Sequence, residues 1–493
     1  MGMTDVETLI IGAGISGIGA AIGLRRVGHD DFTILERAPT LGGTWRDNTY
    51  PGVAVDIPSS SYCFAFETDY PWSHAYASGA EILKYVHHCA RKYDIERHIQ
   101  YGASVIRASL EDDRWRVALA DGRALTARFL IAATGLFTTP VLPDIDGLDT
   151  FAGTSFHSAR WDHSHDLSGR RVGVIGTGAS AAQIIPAIAD TVAHLHVFQR
   201  TPIWIAPRLD YRLPAPNAWH NLRRFGAFRA VNRWVSEMGI EILTLATAVY
   251  QRSPLLVQGV QRLVRAWMAR QVTDPDIRRK LLPTYTLGCK RPTPSNTYLK
   301  TFNRPHVRLV TTPIAAIEPS GVRTVDETLH AIDTLVLATG FLTTQRGNAP
   351  AFEAIGRDGI PLGAVWDAQR LQSYRGVAMP GFPNLFLTAG PYSGGFNWFT
   401  MLSAHLDQII GCIQEAGRRN ARMVEVDPQA HAEWMMTMWR YAEETVFTAP
   451  SCHGSNSFYI DRHGDAALPL PRTPGWRARM IQNAETQGFV FSQ

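Results

Sequence analysis

Two glycine-rich fingerprints of matched spacing offer the clearest chemistry in this chain of 493 residues. Gly12-x-Gly14-Ile15-Ser16-Gly17 follows the apolar run Val6 to Ile11 and leads to Glu36 at the end of the next strand-like stretch. Gly176-Thr177-Gly178-x-Ser180-Ala181 follows Val172 to Ile175 and leads, over the same spacing, to Arg200. In each copy the first glycine allows a strand-to-helix turn. The second lets backbone N–H groups approach a pyrophosphate, and the third small residue lets helix and strand pack closely. The two endings differ in charge. A carboxylate such as Glu36 accepts hydrogen bonds from ribose hydroxyls, whereas Arg200 pairs with the 2'-phosphate that distinguishes NADP from NAD. The pattern predicts a chain that holds two different dinucleotides.

The elements around these turns repeat as well. Phe129 to Thr139 and Thr334 to Thr344 are buried-type strands that each end at Ala-Thr-Gly, where glycine frees the backbone to turn close to a cofactor. They mark where the chain passes between domains. The expected class is α/β, with two Rossmann-like dinucleotide-binding domains. A discontinuous one is built from 1–137 and 342–493, and an inserted one from 138–212 and 284–341. Over 213–283 strand signals give way to helical periodicity, predicting a helical insert whose apolar stripe is Leu256, Val260, Leu263, Val264 and Trp267. Arg262, Arg265 and Arg270 fall mostly off that stripe. A basic amphipathic helix can lie on a membrane surface, but a solvated face over a packed core is the expectation here.

Composition excludes several classes. The net charge of +4, from 48 basic and 44 acidic residues, is small and dispersed, which argues against a nucleic-acid partner. Five cysteines without a Cys-x-x-Cys pair argue for a reducing compartment, the cytoplasm, and against a dithiol flavin reductase. No transmembrane segment and no signal peptide are expected. His163-x-His165 lacks carboxylate or thiolate company, and His87-His88-Cys89 points in different directions, so no metal site is expected.

Two longer motifs narrow the chemistry. Phe151-x-Gly153-x-x-x-His157-x-x-x-Trp161-Asp162 lies between the fingerprints, and Gly42-Gly43-x-Trp45 is followed by Tyr50-Pro51-Gly52 and Asp56. With both motifs in this order the chain resembles the type I Baeyer-Villiger monooxygenases. The resemblance covers essentially its whole length and is weakest in the helical insert and near the C-terminus. It implies FAD in the first domain and NADPH in the second. A ketone and O2 would be the substrates, giving an ester or lactone by way of a C4a-peroxyflavin. Related enzymes that oxidise nitrogen or sulfur usually lack the Trp161-Asp162 ending, so the motif leans toward ketone chemistry. A dinucleotide-binding redox sensor without turnover is the reading from another class, and the retained charged residues argue against it.

The resemblance also implies roles for single residues. Arg291, in Gly288-Cys289-Lys290-Arg291-Pro292, matches the family's catalytic arginine, a fixed cation that keeps the peroxide anionic. Asp56 would hold and balance it, and Lys290 would join Arg200 on the 2'-phosphate. Thr44, Trp45 and Tyr62 match residues that touch the flavin, and Val105 matches a backbone contact to its adenine. Thr177, Ser180, Gln183 and Thr201 match NADP contacts. His157 is expected to serve structure or domain movement rather than the chemistry itself. The helical stretch opening at Trp398 could aim its positive end at the flavin pyrimidine. Tyr392, Phe396, Trp398 and Phe399 are candidates for an apolar pocket wall. One position departs from the family: Phe458 replaces a frequent tryptophan, so an N–H donor toward NADP is lost.

Overall fold

The computed structural model describes residues 4–213, 226–345, 348, 350–481 and 485–493. Residues 214–225, part of the expected helical insert, lie outside them. The apolar runs that carry the fingerprints are buried on both faces, as central parallel strands must be. In the first sheet these are β1 (Thr4–Ile11), β2 (Phe32–Glu36), β3 (Ile99–Tyr101), β4 (Val105–Glu111), β5 (Arg114–Leu119) and β6 (Ala124–Ala132). The second sheet takes β7 (Thr154–His157), β8 (Arg171–Ile175), β9 (His194–Phe198), β10 (Val307–Val310) and β11 (Thr334–Leu337). Late in the chain β12 (Glu353–Ile355) and β13 (Leu385–Leu387) return to the first sheet. Its order is β12-β4-β5-β6-β1-β2-β3, with β13 also on β6; the second sheet runs β10-β9-β8-β11-β7, all parallel.

The two Ala-Thr-Gly segments have a common structural task. Gly12 has φ +106°, and a Cβ there would sit 2.6 Å from the Ala133 carbonyl oxygen. Gly176 has φ +117°, and its Cβ would sit 2.3 Å from the Ala338 carbonyl oxygen. Each fingerprint therefore turns directly against the end of the neighbouring strand, and only glycine fits there. The turns open helices α1 (Ile15–Arg26) and α2 (Ala179–Ile188), the two helices that follow the fingerprints.

The insert forms α3 (Gly226–Ala248), α4 (Pro254–Arg270) and α5 (Pro275–Leu281). Its expected apolar stripe needs correction. Leu256, Val260 and Leu263 point to solvent, whereas Val257 and Met268 are buried and Val264 and Trp267 half-buried, against a cluster that includes Leu281, Tyr285 and Leu287. Helix α4 is apolar on more than one face, and packing selects between them. Helix α6 (Trp398–Arg419) begins where expected, capped by the Asn397 side chain accepting from the Phe399 N–H at 3.0 Å.

The cysteine reading is also corrected. Cys289 and Cys452 are joined as a disulfide, with Cα atoms 5.1 Å apart across a separation of 163 residues. Cysteine spacing cannot show a pair brought together by tertiary packing, so its argument for a reducing compartment falls.

Candidate active site

A cavity of about 1410 Å³ opens between the two sheets at the carboxyl ends of their strands. Among the residues singled out from the sequence as catalytic or cofactor-binding, only Gly17 and Ala181 do not line it. Those two sit beneath the turns: a Cβ on Gly17 would lie 1.8 Å from the Gly12 carbonyl oxygen, and Ala181 is fully buried.

On the first side, Glu36 closes β2 with its carboxylate accepting from the backbone N–H of Ala13 at 2.8 Å and of Ala38 at 2.9 Å. Arg46 donates to it at 2.9 Å. Sequence reading missed Arg46, whose only signal was its place beside Trp45. The indole N–H of Trp45 donates to the Tyr62 hydroxyl at 3.2 Å, and that of Trp398 donates to the Ser16 hydroxyl at 3.2 Å. Burial pushes the Tyr62 phenol well above its ordinary range, so it stays protonated.

On the second side, the Thr177 hydroxyl donates to the Thr201 carbonyl at 2.7 Å. The Asn456 amide, also unforeseen, reaches the Thr201 hydroxyl at 2.8 Å. Gln183 ties the sides together. It accepts from the Tyr50 hydroxyl at 3.0 Å and donates to the Ala54 carbonyl at 2.9 Å, while Gly52, at φ +83°, packs on its backbone. The Tyr50-Pro51-Gly52 motif is thus a seat for helix α2. Lys290 lies close enough to Arg200 that burial and this second cation lower its pKa to about 8. Two like charges converging on one cavity are costly until an anion joins them.

Arg291 stands between the two sides. Its guanidinium grips Asp56 with Nε and Nη2, the latter at 2.7 Å, and Nη2 also donates to the Phe396 carbonyl at 3.0 Å. Tyr459 adds a hydroxyl contact. Burial alone would lower the arginine's pKa, but Asp56 and Tyr459 outweigh it and the net shift is upward, so the cation is permanent. Tyr459 had no separate signal in the sequence beyond its place after Phe458.

Other expectations sort by burial. Phe396 and Trp398 line the cavity, whereas Tyr392 and Phe399 do not, because each is 99% buried in the core. The Phe399 ring packs edge-on against Tyr62 and Phe64, each at 4.8 Å. His157 is buried outside the cavity, its Nδ1 accepting from the Ala159 N–H at 3.1 Å and its ring 5.6 Å from Phe341. His163 and His165 pair with the Thr49 and Thr334 hydroxyls. Phe458 lines the second side, 4.4 Å from the Tyr459 ring. The Cys289–Cys452 bridge sits immediately before Lys290-Arg291 and ties that segment to the turn preceding Asn456.

Comparison with known proteins agrees with this geometry. The family described as pyridine nucleotide-disulphide oxidoreductase matches residues 9–217. A Baeyer-Villiger monooxygenase of Streptomyces coelicolor is 35% identical over 474 residues, covering 95% of this chain and 89% of its own. Among solved structures, cyclohexanone monooxygenase from Rhodococcus sp. Phi1 bound to NADP+ superposes with a TM-score of 0.87 at 29% identity, covering 100% of both chains. The enzyme termed OTEMO, in complex with FAD and NADP, superposes with a TM-score of 0.86 at 26% identity, again over 100% of both chains. Identity at this level along nearly the whole length, on the same two-sheet frame, makes this chain a member of the Baeyer-Villiger monooxygenase family.

Proposed function

We propose that Arg291 is the electrostatic centre of the FAD- and NADPH-dependent Baeyer-Villiger oxygenation that this family performs, with a ketone and O2 as substrates and an ester or lactone as product. The observation that carries this is the Asp56–Arg291 pair, held in a cavity that both fingerprints line. The residues fit the two cofactors. Gly14 and Gly178 line the cavity without side chains, leaving backbone that a pyrophosphate can approach, and Arg200 with Lys290 forms a dication suited to a 2'-phosphate. When bound, FAD supplies the centre at which O2 is activated and NADPH supplies the hydride.

The protein's own part is positioning and charge. Asp56 fixes the plane of the guanidinium, and the Phe396 carbonyl and Tyr459 hydroxyl fix its direction. A cation so held stabilises negative charge as it develops on substrate oxygen, without reorganising during the reaction. Trp45, Tyr62 and Thr44 form the wall against the flavin, and Thr177, Ser180 and Thr201 the wall against NADP. Gln183 holds the two walls in register, and the second N–H of its amide is assigned to NADP. Domain boundaries at residues 137 and 341 are supported by the strands, which change sheets after each Ala-Thr-Gly segment. We assign the enzyme to the cytoplasm because its reductant, NADPH, is an intracellular cofactor.

Product analysis by mass spectrometry with NADPH, O2 and panels of linear, cyclic, aromatic and steroid ketones beside sulfides tests the reading. Ester or lactone products are expected, and Arg291→Ala is expected to retain bound FAD yet lose them, a drop of about a hundredfold or more. Oxidation confined to sulfides, or undiminished ester yield from Arg291→Ala, refutes it.

A further inference from the structure

Helices α3 and α4 face solvent with apolar residues that nothing in the oxygenation reading uses. On α3, Trp234, Met238, Ile242 and Leu245 are 60%, 38%, 63% and 50% exposed, and on α4 Leu256, Val260 and Leu263 are 59%, 47% and 73% exposed. Both sets follow three- and four-residue steps, so each forms a stripe along its helix rather than scattered single residues. Isolated exposed apolar side chains are ordinary, whereas stripes on consecutive helices mark an interaction surface.

Charge selects the occupant. Helix α4 contains no aspartate or glutamate, and Arg262, Arg265 and Arg270 are all exposed on it. A two-fold contact centred on α4 would set these arginines against their own counterparts. An anionic surface complements them. No described helix is long and apolar enough to cross a membrane, so the surface would be one to lie upon. We infer that the outer faces of α3 and α4 form a peripheral docking surface for an anionic lipid bilayer.

The inner face of the same helix gives the surface a purpose. Thr244, Thr247 and Ala248 of α3 close a small cavity together with Phe396 and Tyr459, the residues that orient Arg291. Docking would place that wall about one helix diameter, ~10 Å, from lipid. An apolar ketone concentrated in the bilayer would then be held near the site. This placement deepens the oxygenation reading, but the docking surface stands on exposure and charge alone.

Flotation of the FAD-loaded enzyme with vesicles tests the proposal. Retention is expected on mixed phosphatidylcholine and phosphatidylglycerol vesicles, with weaker retention on phosphatidylcholine alone and in high salt. The exposed pair of substitutions Leu256→Glu and Leu263→Glu is expected to weaken vesicle binding about tenfold or more. Turnover of a water-soluble ketone should not change. No retention on either vesicle overturns the proposal, and so does retention that the double variant keeps. Equal binding to neutral vesicles overturns the choice of an anionic surface. Self-association in sedimentation velocity that the double variant abolishes would assign the face to a second copy instead. None of these readouts depends on which substrate is oxidised, so failure here is separable from failure of the proposed function.

Discussion

Lys290 and Arg200 are two cations brought together at the rim of a cavity, and burial plus repulsion leaves Lys290 with a pKa of about 8. Its ordinary value is 10.5, so the folded protein gives up this proton earlier than a solvated lysine would. The sign for binding follows. Below about pH 8 Lys290 is charged and attracts the 2'-phosphate; above it the charge is lost and affinity falls. KM for NADPH is therefore expected to rise as pH passes upward through this value. Lys290→Met should flatten that profile and raise KM for NADPH about tenfold, the cost of one hydrogen bond to a charged group, with KM for NADH unmoved. Steady-state kinetics with both cofactors across pH checks this, and an unchanged NADPH to NADH preference in the variant would remove Lys290 from the phosphate site.

At the scale of elements, strand-to-helix turns set the distances. Gly176 combines a left-handed backbone with a Cβ position 2.3 Å from the Ala338 carbonyl, so Gly176→Val must displace either β11 or the turn into α2. Strain of about 1–3 kcal/mol at this one turn is small beside the stability of the fold but falls on the NADP side alone. The variant is expected to keep FAD and lose NADPH-driven reduction. Stopped-flow absorbance in the flavin band measures it, and a wild-type reduction rate would show that the turn tolerates a side chain. Helix α4 shows the opposite dependence. Its periodicity was plain, yet the face that packs is the one carrying Val257 and Met268.

At the scale of the whole molecule, the relative placement of the two large sheets makes the site, and the Cys289–Cys452 bridge braces that placement next to Arg291. Linking residues so far apart restricts the unfolded chain, for which loss of a native disulfide typically costs about 2–4 kcal/mol. Thermal unfolding with and without a thiol reductant should show a lower Tm when reduced, and Cys452→Ser should melt at the reduced value under both conditions. If wild type and variant melt together without reductant, the bridge does not brace the fold.

What the sequence by itself determined are the features that short segments own: both glycine turns, the acidic and basic endings at Glu36 and Arg200, and the motif residues of the oxygenation site. Turn geometry depends on a few consecutive residues, and charge on single side chains, so neither needs the rest of the chain to be legible. The resemblance implied that Asp56 meets Arg291; tertiary structure alone decided that Gln183 bonds to Tyr50 and Ala54, that Tyr459 and Arg46 join the site, and that two distant cysteines pair. These contacts arise where separate elements pack. Packing is chosen by the total burial available to competing faces, a quantity that no local run of residues contains.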